Sequence, residues 1–340
     1  MQIQENISLR PYNTFGIDVS ARYFASFRSI ADLQELLRIG LSGSQKLPII
    51  ILGGGSNILF TRDFDGIVLK NEILGIEKVK EDDEHVYLRV GAGENWHRFV
   101  LYCIENNYAG IENLSLIPGC VGASPMQNIG AYGVEIREVF HELTAYHLKQ
   151  QNNFTFRLKD CDFGYRDSVF KNKYKDQFAI SFVTYRLNKQ PKYNTSYGAI
   201  EQELGKMGVK ELSIRAISDA VIAIRSSKLP DPAVIGNAGS FFKNPTITAE
   251  EFERLKASHP TIPGYPNPDG TVKIAAGWLI EQCGWKGVRR GDAGVHDRQA
   301  LVLVNHGNAK GEEIYNLSQE VMKSVEEKFG VRLEREVNVR

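Results

Sequence analysis

LPIIILGGGSNILFTRDFDGIVLKN, residues 47–71, is the stretch that decides the fold. Its apolar start predicts a buried strand, which runs into five small or polar residues: Gly53, Gly54, Gly55, Ser56 and Asn57. Three glycines let backbone N–H groups turn toward an anion, and no Cβ blocks a pyrophosphate. The stretch lacks both the G-x-G-x-x-G spacing of a Rossmann turn and the Gly-Lys-Ser/Thr of a P-loop. On these residues alone, phosphate binding and a tight turn between strands stay equally open.

A second glycine-rich stretch, IPGCVGASPMQNIGAYG at 117–133, favours the ligand-binding interpretation. It cannot be a regular helix or strand, and long loops of this kind are usually functional. Two such loops in one lobe suit a large ligand that has a pyrophosphate and a ring system. The candidate ligand-binding residues here are Pro118, Gly119, Gly122, Ala123, Ser124, Gln127, Asn128, Gly130 and Ala131.

The composition excludes several classes of protein. Lys plus Arg equals Asp plus Glu, at 41 each among 340 residues, which argues against a duplex-binding surface. The first ten residues do not resemble a signal peptide, and no apolar run is long enough to span a membrane. Four cysteines without C-x-x-C spacing predict free thiols in the cytoplasm, and the seven histidines form no cluster, so no metal is expected.

The periodicity predicts an α+β chain rather than a strict βαβ alternation. Helices are expected at 31–40, 94–110, 275–284 and 312–330, the first of them ending at Gly40. Strands are expected at 48–52, 85–93, 178–187 and 300–305. The polar segment 188–198 is expected to be a surface loop, and KLPDP at 228–232 a rigid connector between lobes.

Eight blocks in order resemble the UDP-N-acetylenolpyruvoylglucosamine reductase family, in its larger form. They are NTFGI (13–17), GGGSN (53–57), 117–133, YRDSVFK (165–171), KLPDP, GNAGSFFKNP (236–245), AAGWLIEQCGWKG (275–287) and LEREV (333–337). The resemblance implies a non-Rossmann FAD-binding lobe of the vanillyl-alcohol-oxidase type in two subdomains, plus a smaller α+β substrate-binding domain. The implied boundaries are 1–74 with 330–340, then 75–229, then 230–329. The C-terminal strand is expected to return to the first subdomain.

The family's reaction is the NADPH-dependent reduction of an enolpyruvyl group on a UDP-sugar, a step of peptidoglycan synthesis. The resemblance makes Arg166 the carboxylate-binding residue, Ser240 the proton donor and Glu336 the catalytic glutamate. Without it, an ion pair of Arg166 with a neighbouring aspartate, an ST-turn or helix cap at Ser240 and a solvated Glu336 are the simpler interpretations. The other glutamate of LEREV, Glu334, is not assigned a catalytic role.

The resemblance also assigns the substrate-binding residues, with Tyr197 on the loop that closes over the nucleotide. They are Tyr132, Tyr197, Lys228, Asn244, Lys286 and Gln299. FAD is expected to be non-covalent because GGGSN contains neither His nor Cys, and NADPH is the expected co-substrate. One departure from the family is Asn338, where many relatives have Arg. A monomer without nucleic-acid or membrane partners is expected.

Two competing functions stay open at this point. The first is an FAD-dependent oxidase or dehydrogenase of an alcohol or sugar on the same lobe, which would lack the GNAGSFFKNP and LEREV pair. The second is a nucleotide-binding regulatory module without chemistry. A yellow protein that NADPH bleaches and the enolpyruvyl substrate recolours would exclude both.

Overall fold

The computed structural model describes residues 2–40 and 47–340, which form two compact units. The first unit comprises the described residues within 1–7, 21–54 and 65–227, and the second comprises 8–20, 55–64 and 228–340. The connector KLPDP lies where the chain enters the last segment of the second unit. The division into two FAD-binding subdomains and a substrate-binding domain stays a prediction.

Within the described residues the chain forms twenty strands and seven α-helices. The strands are β1 (Gln4–Ser8), β2 (Ser20–Phe27), β3 (Ile49–Leu52), β4 (Ile58–Leu59), β5 (Phe64–Asn71), β6 (Ile76–Glu81), β7 (His85–Gly91), β8 (Gly130–Ala131), β9 (Val134–Glu135), β10 (Phe140–His147), β11 (Asn152–Arg157), β12 (Phe178–Asn188), β13 (Gly236–Ser240), β14 (Thr246–Ile247), β15 (Gly264–Pro266), β16 (Val272–Ile274), β17 (Arg289–Arg290), β18 (Ala293–Val295), β19 (Val302–Asn305) and β20 (Asn338–Val339). The helices are α1 (Ile30–Gly40), α2 (Trp96–Glu105), α3 (Gly198–Lys206), α4 (Ile214–Lys228), α5 (Ala249–Ser258), α6 (Ala276–Gln282) and α7 (Gly311–Phe329).

The first unit is built on two sheets. One has the strand order β1-β2-β5-β3, in which β3 and β5 are parallel, and the other has the antiparallel order β11-β10-β12-β7-β6. The glycines after β3 lead into the two-residue strand β4 and not into a helix, as the sequence indicates. This is the feature that separates the fold from a Rossmann fold, whose glycine turn opens a helix.

The helices of the first unit cover these sheets with their apolar faces. On α2 the stripe Trp96, Phe99, Val100, Cys103 and Ile104 is buried with residues of β7, β10 and β12. On α1 the leucines Leu33, Leu36 and Leu37 are buried with residues of β2 and β5. Asn95 begins α2 by accepting a hydrogen bond from the Arg98 amide. A separate cluster joins α3 to α4.

The second unit has the sheet β13-β19-β18-β17, against which α7 packs through Ile314, Leu317, Val321 and Val325. Gly330 ends α7 in the left-handed conformation, with φ of 68°. The parallel pair of β20 and β4 brings residues 338–339 back to residues 58–59. The C-terminal strand thus pairs inside the range 1–74, and both paired strands belong to the second unit, while the predicted first subdomain itself stays a prediction.

The predicted elements are found, with shifted ends. The helix predicted over 94–110 begins at Trp96 and ends at Glu105. The helix predicted over 31–40 corresponds to α1, which includes Gly40, and residues 41–46 lie outside the described ones. The four predicted strands correspond to β3, β7, β12 and β19. Residues 189–197 are without helix or strand, which confirms the predicted loop.

Candidate functional site

The two predicted glycine loops contact each other in the first unit. A Cβ on Gly54 would lie 2.8 Å from the Gly119 Cα, whereas one on Gly53 would lie at an ordinary 3.6 Å from the Cys120 Cβ. The Lys70 Nζ donates to the Gly53 carbonyl oxygen at 3.2 Å. Within the described residues, the exposed Gly54 amide donates no hydrogen bond. A pair of close glycine backbones with a free amide and an ammonium beside them suits a phosphate-bearing ligand.

The second glycine loop is fixed from behind by α2 and β7. The Gly119 carbonyl accepts from the Trp96 amide at 3.0 Å, and the Gly122 amide donates to the Ala92 carbonyl at 2.9 Å. A Cβ on Gly122 would lie 2.6 Å from the Ala92 Cβ, so glycine is needed for this close approach. Burial and the nearby carboxylate of Glu94 raise the pKa of the Cys120 thiol against the opposing charge of Lys70. The thiol is accordingly a weak nucleophile.

Two predicted ligand-binding side chains, Ser124 and Asn128, tie this loop to residues outside it. The buried Ser124 hydroxyl shares a 2.7 Å hydrogen bond with the Tyr185 hydroxyl, and burial raises the pKa of that tyrosine. The fully buried Asn128 donates to the Glu135 carboxylate and to the Gly164 carbonyl, each at 3.0 Å. Both side chains are therefore committed to the protein, and their contribution to a ligand is through the shape of the backbone.

Arg166 lies beside the end of the second loop. Its Nη2 donates to the Gly130 carbonyl at 2.5 Å, and its guanidinium carbon is 5.3 Å from the centre of the Tyr165 ring. Its backbone has a φ of 53°, which is rare for a non-glycine residue and frequent at functional sites. The carboxylate of Asp167 accepts from the Asn172 amide group at 3.0 Å.

Tyr132 and Tyr197, both predicted to bind substrate, contact each other. Their ring centres are 5.3 Å apart with an interplanar angle of 89°. Tyr132 occupies the tight turn between β8 and β9 with a φ of 50°. The Asn194 Nδ2 ties the loop 189–197 to this turn by donating to the Gly133 carbonyl at 3.0 Å. Tyr197 is 48 % exposed, so its ring stays accessible.

Sequence reasoning missed Arg225 and His97, which flank the entry to the second loop. The Arg225 Nε donates to the Leu116 carbonyl at 3.3 Å, and the His97 Nδ1 accepts from the Leu116 amide at 3.0 Å. Burial lowers the pKa of Arg225. The interaction with Tyr132 opposes this shift, and the positive charge of Arg166 adds to it. Burial, then the charge of Arg225, lowers the pKa of His97. No motif marks these two residues, since the fold brings them together from α2 and α4.

Ser240, in the second unit, ends the strand β13. The ladder between β13 and β19 is irregular from Asn237 to Ser240, and Gly239 between them has a φ of 69°. The Asn237 Oδ1 accepts from the Gly239 amide at 2.9 Å and fixes this bulge, which re-aims the serine. Ser240 is half-buried, and its hydroxyl has no hydrogen-bond partner within residues 2–40 and 47–340. The ST-turn or helix-cap interpretation is therefore wrong.

Glu336 lies on the segment next to Ser240. Its amide donates to the Phe241 carbonyl at 2.8 Å, and Phe242 bridges Arg335 in antiparallel fashion. Glu334 is different, because its side chain is 70 % exposed and binds the Lys243 Nζ at 2.5 Å. Lys243 is therefore engaged by Glu334.

Gly55, Ser56 and Asn57 belong to the second unit, where they contact the NTFGI motif and the C-terminal segment. Gly55 has a φ of 63°, and a Cβ there would lie 1.9 Å from the Tyr12 carbonyl oxygen. The Asn57 Nδ2 donates to the Glu336 carbonyl at 3.4 Å, and the Asn338 Nδ2 donates to the Asn57 carbonyl at 3.0 Å. Asn338 thus secures the glycine-loop residues through a backbone contact.

The other predicted substrate-binding residues of the second unit lie in three places. The Asn244 Oδ1 accepts from the Ala276 amide at 2.9 Å, and the Gln299 Oε1 is 3.1 Å from the position of a Cβ on Gly277, so both side chains meet the start of α6. Lys286 pairs with Glu281 at 2.9 Å on the surface. Lys228 is exposed at the last position of α4.

Within residues 2–40 and 47–340 no group of three or more His, Cys, Asp or Glu side chains could hold a metal ion. In the same residues no helix is both long and apolar enough to cross a membrane.

Comparison with known proteins identifies the class first. Residues 21–147 match the family model of an FAD binding domain. The solved structure of UDP-N-acetylenolpyruvylglucosamine reductase from Thermus caldophilus shares the fold, with a TM-score of 0.68 at 22% identity over 100% of this chain and 99% of that one. The chain is thus an α+β flavoprotein with an FAD-binding domain, which confirms the predicted α+β class and the predicted FAD-binding lobe.

The particular family follows from the rest of the chain. Residues 231–340 match the model of the C-terminal domain of UDP-N-acetylenolpyruvoylglucosamine reductase. Proteins of that name from Amoebophilus asiaticus and Flavobacterium johnsoniae are 54% and 51% identical, each over 100% of this chain and over 99% and 100% of their own lengths. The chain belongs to the UDP-N-acetylenolpyruvoylglucosamine reductase family and is an oxidoreductase.

Proposed function

We propose that the chain reduces the enolpyruvyl group of UDP-N-acetylglucosamine enolpyruvate to UDP-N-acetylmuramate, with NADPH as the co-substrate, in peptidoglycan synthesis. The observation that carries the proposal is the half-buried Ser240 hydroxyl, which has no partner among the described residues and lies on the segment next to Glu336. An oxidase of an alcohol needs a base that removes a proton, whereas this serine is suited to donate one.

The substrate carboxylate is assigned to Arg166. Bound FAD supplies the hydride-transfer chemistry between NADPH and the substrate. Negative charge then grows on the carboxylate side of the enol ether, and a guanidinium fork stabilises it through two parallel hydrogen bonds. The contact of Arg166 with the Gly130 carbonyl fixes the fork at the end of the glycine loop.

The proton is assigned to Ser240. A serine hydroxyl is a weak acid, but the receiving carbon at C2 has carbanion character and therefore a high proton affinity. The bulge at Gly239 fixes the backbone that carries this hydroxyl, so that the serine is positioned before the substrate binds. Glu336 is assigned to positioning the carboxylate or sharing in the proton delivery.

The nucleotide end of the substrate is assigned to the six predicted substrate-binding residues. Lys228 and Lys286 offer ammonium groups to the diphosphate, Asn244 and Gln299 offer amides, and the Tyr197 ring with Tyr132 offers an aromatic surface.

We further propose that the enzyme is a cytoplasmic monomer with no nucleic-acid or membrane partner, and that its FAD is held without a covalent bond. Acid precipitation then releases all of the flavin into the supernatant.

The two half-reactions test the role of Ser240 separately. In Ser240→Ala, bleaching of the flavin by NADPH should stay near the wild-type rate because that step needs no serine proton. Recolouring by the enolpyruvyl substrate should slow by about 10²-fold to 10⁴-fold, the range for a lost general acid. Ser240→Cys should recover part of the rate, since a thiol can still donate a proton. Equal slowing of both steps would show that the serine only shapes the loop, and recovery by oxygen alone would favour the oxidase.

A further inference from the structure

Lys70 is a half-buried charged residue of β5 that follows four buried positions and lies at the first glycine loop. It is the last residue but one of β5, where Ile67, Val68 and Leu69 are buried and Lys70 is half-buried. Its register partner on the parallel strand β3 is Leu52, the residue directly before Gly53. The strand pairing therefore brings this lysine to the loop that follows β3.

The Lys70 ammonium has much unused binding capacity. An ammonium has three donors, and the described residues offer Lys70 one acceptor, the Gly53 carbonyl at 3.2 Å, and no ion-pair partner. The carboxylate of Glu94, which like Lys70 acts on Cys120, accepts from the Gly75 amide at 2.7 Å. Taking part of an ammonium out of water without an anion is unfavourable, so the position calls for a negatively charged ligand.

The charge of Lys70 also reaches the second glycine loop. It is close enough to Cys120 to oppose the upward shift of that thiol's pKa, and Cys120 directly follows the Gly119 that Gly54 contacts. The exposed Gly54 amide, which donates no hydrogen bond within the described residues, lies on the same loop. The Lys70 ammonium and the free Gly54 amide thus lie at the place where the backbones of the two glycine loops approach each other.

We propose that Lys70 binds the diphosphate of FAD and supplies a positive charge that the backbone amides of the glycine loop cannot supply alone. The inference rests on the proposed function, because it takes FAD as the ligand of these loops. Glycine-loop amides carry partial charges and bind an anion by geometry, whereas an ammonium adds a full charge and makes the affinity depend on salt.

The test compares FAD retention in full-length, flavin-loaded protein. Wild type, Lys70→Met, Lys70→Arg and the control Lys78→Met are each diluted serially, and released FAD is followed by its fluorescence at low and high salt. Lys70→Met keeps an unbranched side chain and removes the charge. Lys78→Met removes the same charge from β6, where the ammonium is exposed and paired with Glu81. Melting of the flavin-free proteins checks that the fold is intact.

We expect Lys70→Met to weaken FAD binding by roughly 10- to 100-fold, the worth of a charge-assisted hydrogen bond, and to reduce its salt dependence. The FAD affinity of Lys70→Arg should stay within a few-fold of that of wild type, and the FAD affinity of Lys78→Met should equal that of wild type. The inference is overturned if Lys70→Met and Lys78→Met behave alike, or if Lys70→Arg loses as much as Lys70→Met. Absence of FAD from the wild-type protein would instead refute the proposed function itself.

Discussion

Replacing Gly54 by alanine should push the two glycine loops apart. The new Cβ would lie 2.8 Å from the Gly119 Cα and 3.3 Å from the Gly119 carbonyl carbon, about 0.6 Å inside the 3.4 Å lower end of ordinary contact. Both contacts are with backbone, so a loop has to move. Overpacking of this kind costs about 1–3 kcal/mol, which corresponds to a loss of roughly 5- to 150-fold in FAD affinity if binding has to restore the native spacing.

Gly53→Ala is the matched control for this prediction. Its Cβ would meet the Cys120 Cβ at 3.6 Å, an ordinary contact, and neither Gly53 nor Gly54 has a positive φ that would add backbone strain. FAD affinity is measured by release of flavin fluorescence on dilution, beside the melting temperature of the flavin-free protein. Equal FAD affinity in Gly54→Ala and wild type would refute the reasoning, and so would an equal loss in Gly53→Ala.

Three further predictions concern single side chains. Arg166→Lys should slow reoxidation of the flavin by the substrate by about 10²-fold with flavin still bound, because a point charge cannot replace the guanidinium fork; near wild-type rates would make Arg166 peripheral. Glu336→Gln should reduce turnover by about 10²-fold, whereas Glu334→Gln, which breaks only an exposed ion pair, should change it less than twofold; the reverse order would transfer the role to Glu334. Because burial lowers the pKa of His97, its unfolded state binds a proton first, so the melting temperature should fall as the pH drops below 6.5; His97→Gln should show a flatter profile between pH 7.5 and 5, and an unchanged slope would contradict this.

Local patterns were sufficient where one apolar stripe faces one sheet. The stripes of α1, α2 and α7 repeat at helical spacing, so their existence and buried faces could be predicted. The polar helix α5, by contrast, buries no residue, and it depends on a capping box between Thr248 and Glu251 that no apolar period reveals.

The residues of the candidate site could be predicted only from the blocks of sequence resemblance. Their arrangement in space could not be predicted from these blocks. The bulge before Ser240 depends on pairing with a strand about 60 residues later, and its neighbour Glu336 comes from a segment almost 100 residues away. Arg225 and His97 escaped notice for the same reason, since each acts on Leu116 from a different helix. Such contacts form between segments that are distant in the sequence, so the local periodicity of apolar residues does not predict them.

The pairing of β20 with β4 has a consequence for the order of folding during synthesis. The Asn57 side chain and the Glu336 carbonyl that it binds are 279 positions apart. At ribosomal rates of about 5–20 residues per second, β4 waits roughly 15–55 s for its partner strand. The antiparallel sheet from β6 to β12 is made from one continuous stretch and can form in that interval, but Ile58 and Leu59 stay unpaired. Nascent chains are therefore exposed to misfolding at β4, and a chaperone that shields this short apolar strand would raise the yield of active protein.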